Sequence, residues 1–303
     1  MNSIKKMMLS GALGCLISGM AYADGSSPQP VKPYWQDIQV VAVNKEKPRS
    51  SFMSYADRET ALTSRFEKSP YYSLLNGTWK FFFVDSYKDL PQNITDPSVN
   101  TSSWDDITVP GNWEVQGHGV AIYTNHGYEF KPRNPQPPLL PEANPVGVYR
   151  RDIEIPASWD NRDIYLHIGG AKSGLYVYLN GKEVGYSEDS KNPAEFLINK
   201  YLQPGKNVLT LKIFRWSTGS YLECQDFWRM SGIERDVFLW SQPKANIQDF
   251  RVVSTLDDTY TNGIFKLAVD LKNHTQETKN LNVGYELLDA KGNLVTSEAN
   301  DIW

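Results

Sequence analysis

Leu175 to Tyr186 reads "LYVYLNGKEVGY". Leu175, Val177 and Leu179 put apolar side chains on one face at a period of two, the spacing of a half-buried strand. Asn180-Gly181 follows, the pair that best tolerates the two positive φ angles of a type I′ turn, and Val184 and Tyr186 lie on the return run. A β-hairpin is the expected structure.

The same alternation extends in both directions. Between Asp163 and Gly169, Ile164, Leu166 and Ile168 share a face, and further strands are expected at Trp79–Val84, Tyr149–Ile155, Val208–Phe214 and Val237–Trp240. Turns rich in Pro, Gly and Asn separate them, as in Gln203–Asn207, and no long 3.6-residue periodicity competes. Many short strands joined in this way predict an all-β fold, an antiparallel sandwich of the jelly-roll kind. Lys131 to Pro145 carries six prolines in fifteen residues, which predicts an extended surface loop.

The pattern changes after Gln242-Pro243-Lys244. Phe265, Leu267, Val269 and Leu271 alternate, as do Leu281, Val283, Tyr285 and Leu287. A domain boundary is expected there, with a first domain and its N-terminal arm over 24–243 and a second over 244–303. The second has about 60 residues, whereas an immunoglobulin-like sandwich needs roughly 100, so it is read as incomplete.

Composition narrows the function classes. The chain has 303 residues, a formal net charge of -4 and 22% charged residues, a balance with none of the basic excess that a nucleic-acid partner calls for. Aromatic residues make up 13%, including nine Trp and seventeen Tyr; such rings fill β-sandwich cores and also stack on sugars. At the N-terminus, Lys5 and Lys6 precede an apolar run from Met7 to Met20 and the small-x-small pattern Ala21-Tyr22-Ala23. Residues 1–23 therefore read as a signal peptide, and the protein as exported to the periplasm or secreted. The run is too short for a comfortable membrane span, which needs about 20 apolar residues, and no second one follows. Cys15 is a poor match to a lipoprotein signal, and its removal leaves Cys224 alone, with no internal disulfide.

Ser217 to Val237, "STGSYLECQDFWRMSGIERDV", concentrates four acids, two arginines and three large aromatic residues in twenty-one positions. Composition alone makes Asp226 a structural partner of Arg229 or Arg235. It also makes Trp79, Trp104, Trp113, Trp216 and Trp228 mostly core rings. His126 and His167 lack any zinc-ligand spacing.

Four other motifs precede this stretch in order: Val109-Pro-Gly-Asn-Trp-Glu114, Ile122-Tyr-Thr-Asn125, Gly185-Tyr-Ser-Glu-Asp-Ser190 and Phe214-Arg-Trp-Ser217. From about Tyr34 to Pro243 the chain closely resembles the N-terminal sugar-binding domain of glycoside hydrolase family 2 β-galactosidases, and more weakly the immunoglobulin-like domain that follows it. The resemblance implies a (β/α)₈ barrel after these two domains. Two glutamates of that barrel, about 5 to 5.5 Å apart, would hydrolyse terminal non-reducing β-D-galactose residues of a β-galactoside with retention. This chain stops before the barrel would begin. No catalytic residue is therefore assigned, the chain alone is expected to be inactive, and Glu114, Glu129, Glu142 and Glu223 are read as solvated or ion-paired carboxylates.

By the same resemblance, Asn125 and Asp226 match family positions that reach into the barrel's pocket and bind galactose, and Asp226 also supplies one oxygen to a sodium ion. An amide donates and accepts, and an ionised carboxylate accepts from two hydroxyls, which suits a sugar. Thr218 stands where many members have an Asp that helps hold a structural magnesium, which puts that site in doubt, and Cys224 also replaces an Asp. Whether the full-length enzyme is a homo-oligomer is left open. Two rival readings are a stand-alone, lectin-like carbohydrate-binding module and a structural surface protein.

Overall fold

The expected hairpin forms, with Gly174–Leu179 paired antiparallel to Lys182–Ser187. Asn180 and Gly181 turn it with φ of 53° and 76°, both positive as a type I′ turn requires. These coordinates are a computed structural model, which describes residues 32–130 and 134–302. The expected signal peptide and Cys15 lie outside the described residues.

The hairpin belongs to a seven-stranded sheet in the order Ala42–Val43, Lys182–Ser187, Gly174–Leu179, Lys206–Phe214, Val146–Glu154, Gly77–Val84, Asp105–Val109. A four-stranded sheet runs Ala194–Leu197, Arg162–Ile168, Val237–Pro243, Tyr72–Leu74. Neighbouring strands within both sheets are antiparallel. Trp79, Phe81, Tyr149, Val177 and Leu211 of the larger sheet pack with Leu166, Ile168, Phe196 and Leu239 of the smaller, so the two form a sandwich around one core. Each such side chain contributes roughly 1.5–3 kcal/mol when fully buried.

Both outer faces are covered as well. Trp35, Ile94 and Trp104 pack on Val148, Tyr176 and Tyr186 of the larger sheet, and Met53 packs with Tyr165, Phe238 and Trp240 of the smaller. Val146–Glu154 is consequently buried along most of its length. Gly147 within it leaves room for the Trp113 ring, which a Cβ there would meet at 2.6 Å. In the proline-rich segment, residues 134–145 form neither strand nor helix. Asn144 anchors its end, donating to the Trp216 carbonyl at 2.8 Å and accepting from the Trp216 N–H at 3.0 Å.

Beyond residue 243 the alternating runs form two hairpins, Ala245–Leu256 with Gly263–Asn273 and Leu281–Leu288 with Leu294–Ile302. Ser50 N–H donates to Asp249 at 2.8 Å and Lys272 reaches Glu46 at 3.2 Å, tying the first hairpin to the segment before the sandwich. Val252, Val253, Leu256, Leu294 and Val295 stay exposed. No helix among the described residues is long and apolar enough to cross a membrane.

Candidate functional site

Outside the two main sheets, Ile122–Thr124 pairs antiparallel with Phe227–Arg229 as a short ribbon. Its register sets Tyr123 opposite Trp228 and Thr124 opposite Phe227, and Asn125 and Asp226 are the next residues at the same end of the ribbon, each just outside the paired strands. Because side chains alternate across a strand, Tyr123 and Trp228 share one face, and Asn125 and Asp226 in the adjoining bends are exposed like them. Ile122, Thr124, Phe227 and Arg229 share the other. Burial follows this division: the first four are exposed, the last four half-buried or buried.

On the exposed face, the Tyr123 hydroxyl donates to Asp226 Oδ1 at 2.9 Å, a diagonal cross-strand contact. That hydrogen bond to the carboxylate raises the Tyr123 phenol above its ordinary pKa. The Tyr123 and Trp228 rings lie 5.6 Å apart at 60°, forming an open corner. Thr124 Oγ1 donates to the His126 carbonyl at 2.7 Å, closing the turn that carries Asn125.

The hidden face rests on buried charge. Arg215 Nη2 donates to the carbonyls of Val120, at 2.9 Å, and Arg229, at 3.2 Å, so it grips both arms of the ribbon. Glu114 and Glu129 flank Arg215 at 3.6 and 3.5 Å, and Lys172 joins Glu129 at 3.3 Å. Glu114 also accepts the Ser231 N–H at 3.0 and 2.9 Å, and burial lifts its pKa. Desolvated carboxylates of this kind persist only with a cation beside them. The guanidinium of Arg229 lies 4.9 Å from the centre of the Phe227 ring, beneath the ribbon.

Asp226 contacts neither arginine expected from composition. Arg229 donates to the Glu223 carbonyl at 3.0 Å, and Arg235 to the carbonyls of Gly169 and Lys191. The other acids of the stretch also find partners outside it. Glu223 accepts from Ser190 Oγ at 2.6 Å, Glu234 pairs with Lys191, and Asp236 accepts from Asn76 at 2.8 Å. The charges therefore lace this segment to the sandwich. Cys224 stays a thiol, donating to the Ser220 carbonyl at 3.3 Å, with its pKa raised by burial.

Four of the five tryptophans expected in the core are buried, but Trp228 is 53% exposed. Glu142 is an exposed partner of Lys88, and the buried Glu114 side chain is ion-paired with Arg215, so both are the ion-paired carboxylates expected. His167 stacks on Phe238 at 4.2 Å and binds Glu195 through Nδ1 at 2.8 Å; the His126 side chain is exposed.

The Thr218 side chain is hydrogen-bonded within the protein. Its hydroxyl donates to Glu188 Oε2 at 2.8 Å, and Glu188 also accepts from Gly219 N–H at 2.7 Å and the Tyr186 hydroxyl at 2.7 Å. Among the described residues no three His, Cys, Asp or Glu side chains gather as a metal site. Asp226 fits one ligand of an oxygen-coordinated cation, since it is exposed and Tyr123 is its one protein donor among the described residues.

An exposed amide, an exposed carboxylate and two open rings thus lie together on a short ribbon beside a β-sandwich. Residues 72–243 match the profile described as "Glycosyl hydrolases family 2, sugar binding domain", and the chain belongs to that family. It is 39% identical over 262 residues to the β-galactosidase of Priestia megaterium, covering 85% of this chain and 25% of that protein. To the β-galactosidase of Psychromonas ingrahamii it is 36% identical over 262 residues, covering 86% and 24%. The chain thus spans about a quarter of the length of these curated relatives. Among solved structures, a Bacteroides uniformis β-glucuronidase superposes with a TM-score of 0.61 at 20% identity, covering 76% of this chain and 26% of that one, a likeness of fold.

Proposed function

We propose that this chain is the N-terminal part of an exported β-galactosidase that removes terminal non-reducing β-D-galactose with retention. The two carboxylates of that reaction lie in a barrel outside this chain, so residues 1–303 alone do not turn over substrate. Their contribution is binding: Asn125 exchanges hydrogen bonds with sugar hydroxyls, Asp226 accepts from them, and Asp226 adds one oxygen to a sodium ion whose other ligands lie outside the chain. The sandwich holds these groups at the end of a ribbon clamped by Arg215.

The observation that carries this reading is that Asn125 and Asp226 lie exposed at the same end of the ribbon, each one residue beyond the paired strands, with the nearby arginines engaged elsewhere. The curated β-galactosidases supply the sugar. The uncovered apolar residues of the hairpins after residue 243 support further protein packing there, rather than a stand-alone module. Translating the gene past the codon for Trp303 and assaying the complete product on a panel of chromogenic glycosides tests the proposal. A barrel with preferential galactoside hydrolysis is expected; a stop codon, or preference for another sugar, overturns it.

A further inference from the structure

We propose that Trp228 and Tyr123 form an aromatic corner that packs against the C–H face of the sugar whose hydroxyls meet Asn125 and Asp226, and that this corner sets the preference among sugars. The inference rests on the reading of Asn125 and Asp226 as sugar contacts and adds two specificity-determining residues to it.

The first support is exposure. Seven of the eight tryptophans described are buried, yet Trp228 is 53% exposed and Tyr123 beside it 55%. Neither ring is needed to fill the sandwich core. The second is rigidity. The strand register places the rings opposite each other, 5.6 Å apart, and the bond from the Tyr123 hydroxyl to Asp226 holds that ring in place before any ligand arrives. Aromatic side chains have few torsions to lose, so a preset pair recognises a ligand at small entropic cost. The third is spacing. Asp226 and Trp228 are two residues apart, at most about 6.7 Å at the rise of a strand, and the Tyr123 ring beside Trp228 bonds Asp226, so one pyranose can touch both.

The chemistry of the two halves is complementary. The face of an aromatic ring is electron-rich and attracts polarised C–H bonds. In galactopyranose the axial hydroxyl at C4 leaves the C–H bonds of C3, C4 and C5 on one side of the ring as a continuous apolar patch. Glucopyranose divides its C–H bonds between both sides and offers a poorer match. A uronic acid fares worse, because Asp226 is itself an acid, Arg229 and Lys172 are each only 1% exposed, and the more exposed Lys191, 5.2 Å from the Phe227 ring, is paired with Glu234. The expected order is galactoside, then glucoside, then glucuronide.

The test uses the complete gene product, with calorimetric titration of methyl 1-thio-β-galactoside, methyl 1-thio-β-glucoside and methyl 1-thio-β-glucuronide, whose thioglycosidic bonds resist hydrolysis. Trp228→Ala should weaken galactoside binding about tenfold and reduce the galactoside-to-glucoside ratio, while Trp228→Phe stays within about threefold of the parent. The melting temperature should not change, because Trp228 is exposed. If Trp228→Ala leaves affinity and preference intact while Asp226→Asn loses tenfold or more, the corner is overturned and the Asn125–Asp226 contacts stand. If neither substitution alters binding, or the parent binds none of the three sugars, both readings fail. A lowered melting temperature with unchanged sugar binding shows that the corner is covered by protein, which also overturns the proposal.

Discussion

Replacing Asp226 by Asn separates a ligand-binding carboxylate from a structural one, because the two roles differ about tenfold in their effect on stability. Had Asp226 been the counter-ion of the buried Arg229, its neutralisation would strand a desolvated charge at a cost of about 3–5 kcal/mol. At roughly 2–4 °C per kcal/mol, that loss lowers the melting temperature by about 6–20 °C. The structure gives Asp226 one protein partner among the described residues, the exposed Tyr123 hydroxyl, to which an Asn oxygen can still accept. Stability should then change by no more than about 0.5 kcal/mol, the range of an ordinary surface substitution. Activity should respond far more. A charge-assisted hydrogen bond is worth roughly 1.5–3 kcal/mol, so losing one that persists to the transition state lowers kcat/KM about ten- to a hundredfold. Both quantities should be measured on one preparation of the complete gene product, with a chromogenic β-galactoside and a thermal melt. Normal kinetics with a depressed melting point would refute the reasoning.

Asn125→Ala should weaken galactoside binding by about one neutral hydrogen bond, roughly 0.5–1.5 kcal/mol, with no change in melting temperature; an unchanged inhibition constant for galactose removes Asn125 from the site. Arg215→Met strands Glu114 in the interior and leaves Glu129 with Lys172 as its one cation, and should cost about 3–5 kcal/mol in chemical denaturation, so a loss below about 1 kcal/mol contradicts the clamp. Gly147→Ala drives a methyl into the Trp113 ring and should cost about 1–3 kcal/mol by the same measurement, unless the ring can move aside. Burial keeps the proton on folded Glu188 to a higher pH than in the unfolded chain. Its contribution to stability is therefore present below the ordinary glutamate pKa and lost as pH rises through the raised one. Glu188→Gln should flatten the pH dependence of stability across that interval, and an unaltered profile counts against the assignment.

Local signals made much of the sandwich legible. Asn180-Gly181 names its own turn, and Ile164, Leu166 and Ile168 name their own face, because both depend on neighbours in the chain. The ribbon depends on a pairing between Tyr123 and Trp228, 105 residues apart, which no local pattern encodes. Without that register Trp228 resembles the other tryptophans and reads as a core ring. Asp226 likewise reads as a partner for the nearest arginines until the fold turns Arg229 to the opposite face and directs Arg235 to the carbonyls of Gly169 and Lys191. The family motifs marked Asn125 and Asp226 without showing what surrounds them. Tyr123 falls within one of these motifs, but its bond to Asp226 depends on the pairing of the two strands.

The most direct measurement is a crystal structure of the complete gene product with galactose bound. The expected result is galactose within hydrogen-bonding distance of the Asn125 amide and the Asp226 carboxylate, with Arg215 still gripping the ribbon beneath them. A structure in which every hydroxyl of the bound galactose is satisfied by residues outside this chain, with Asn125 and Asp226 facing bulk water, would contradict it.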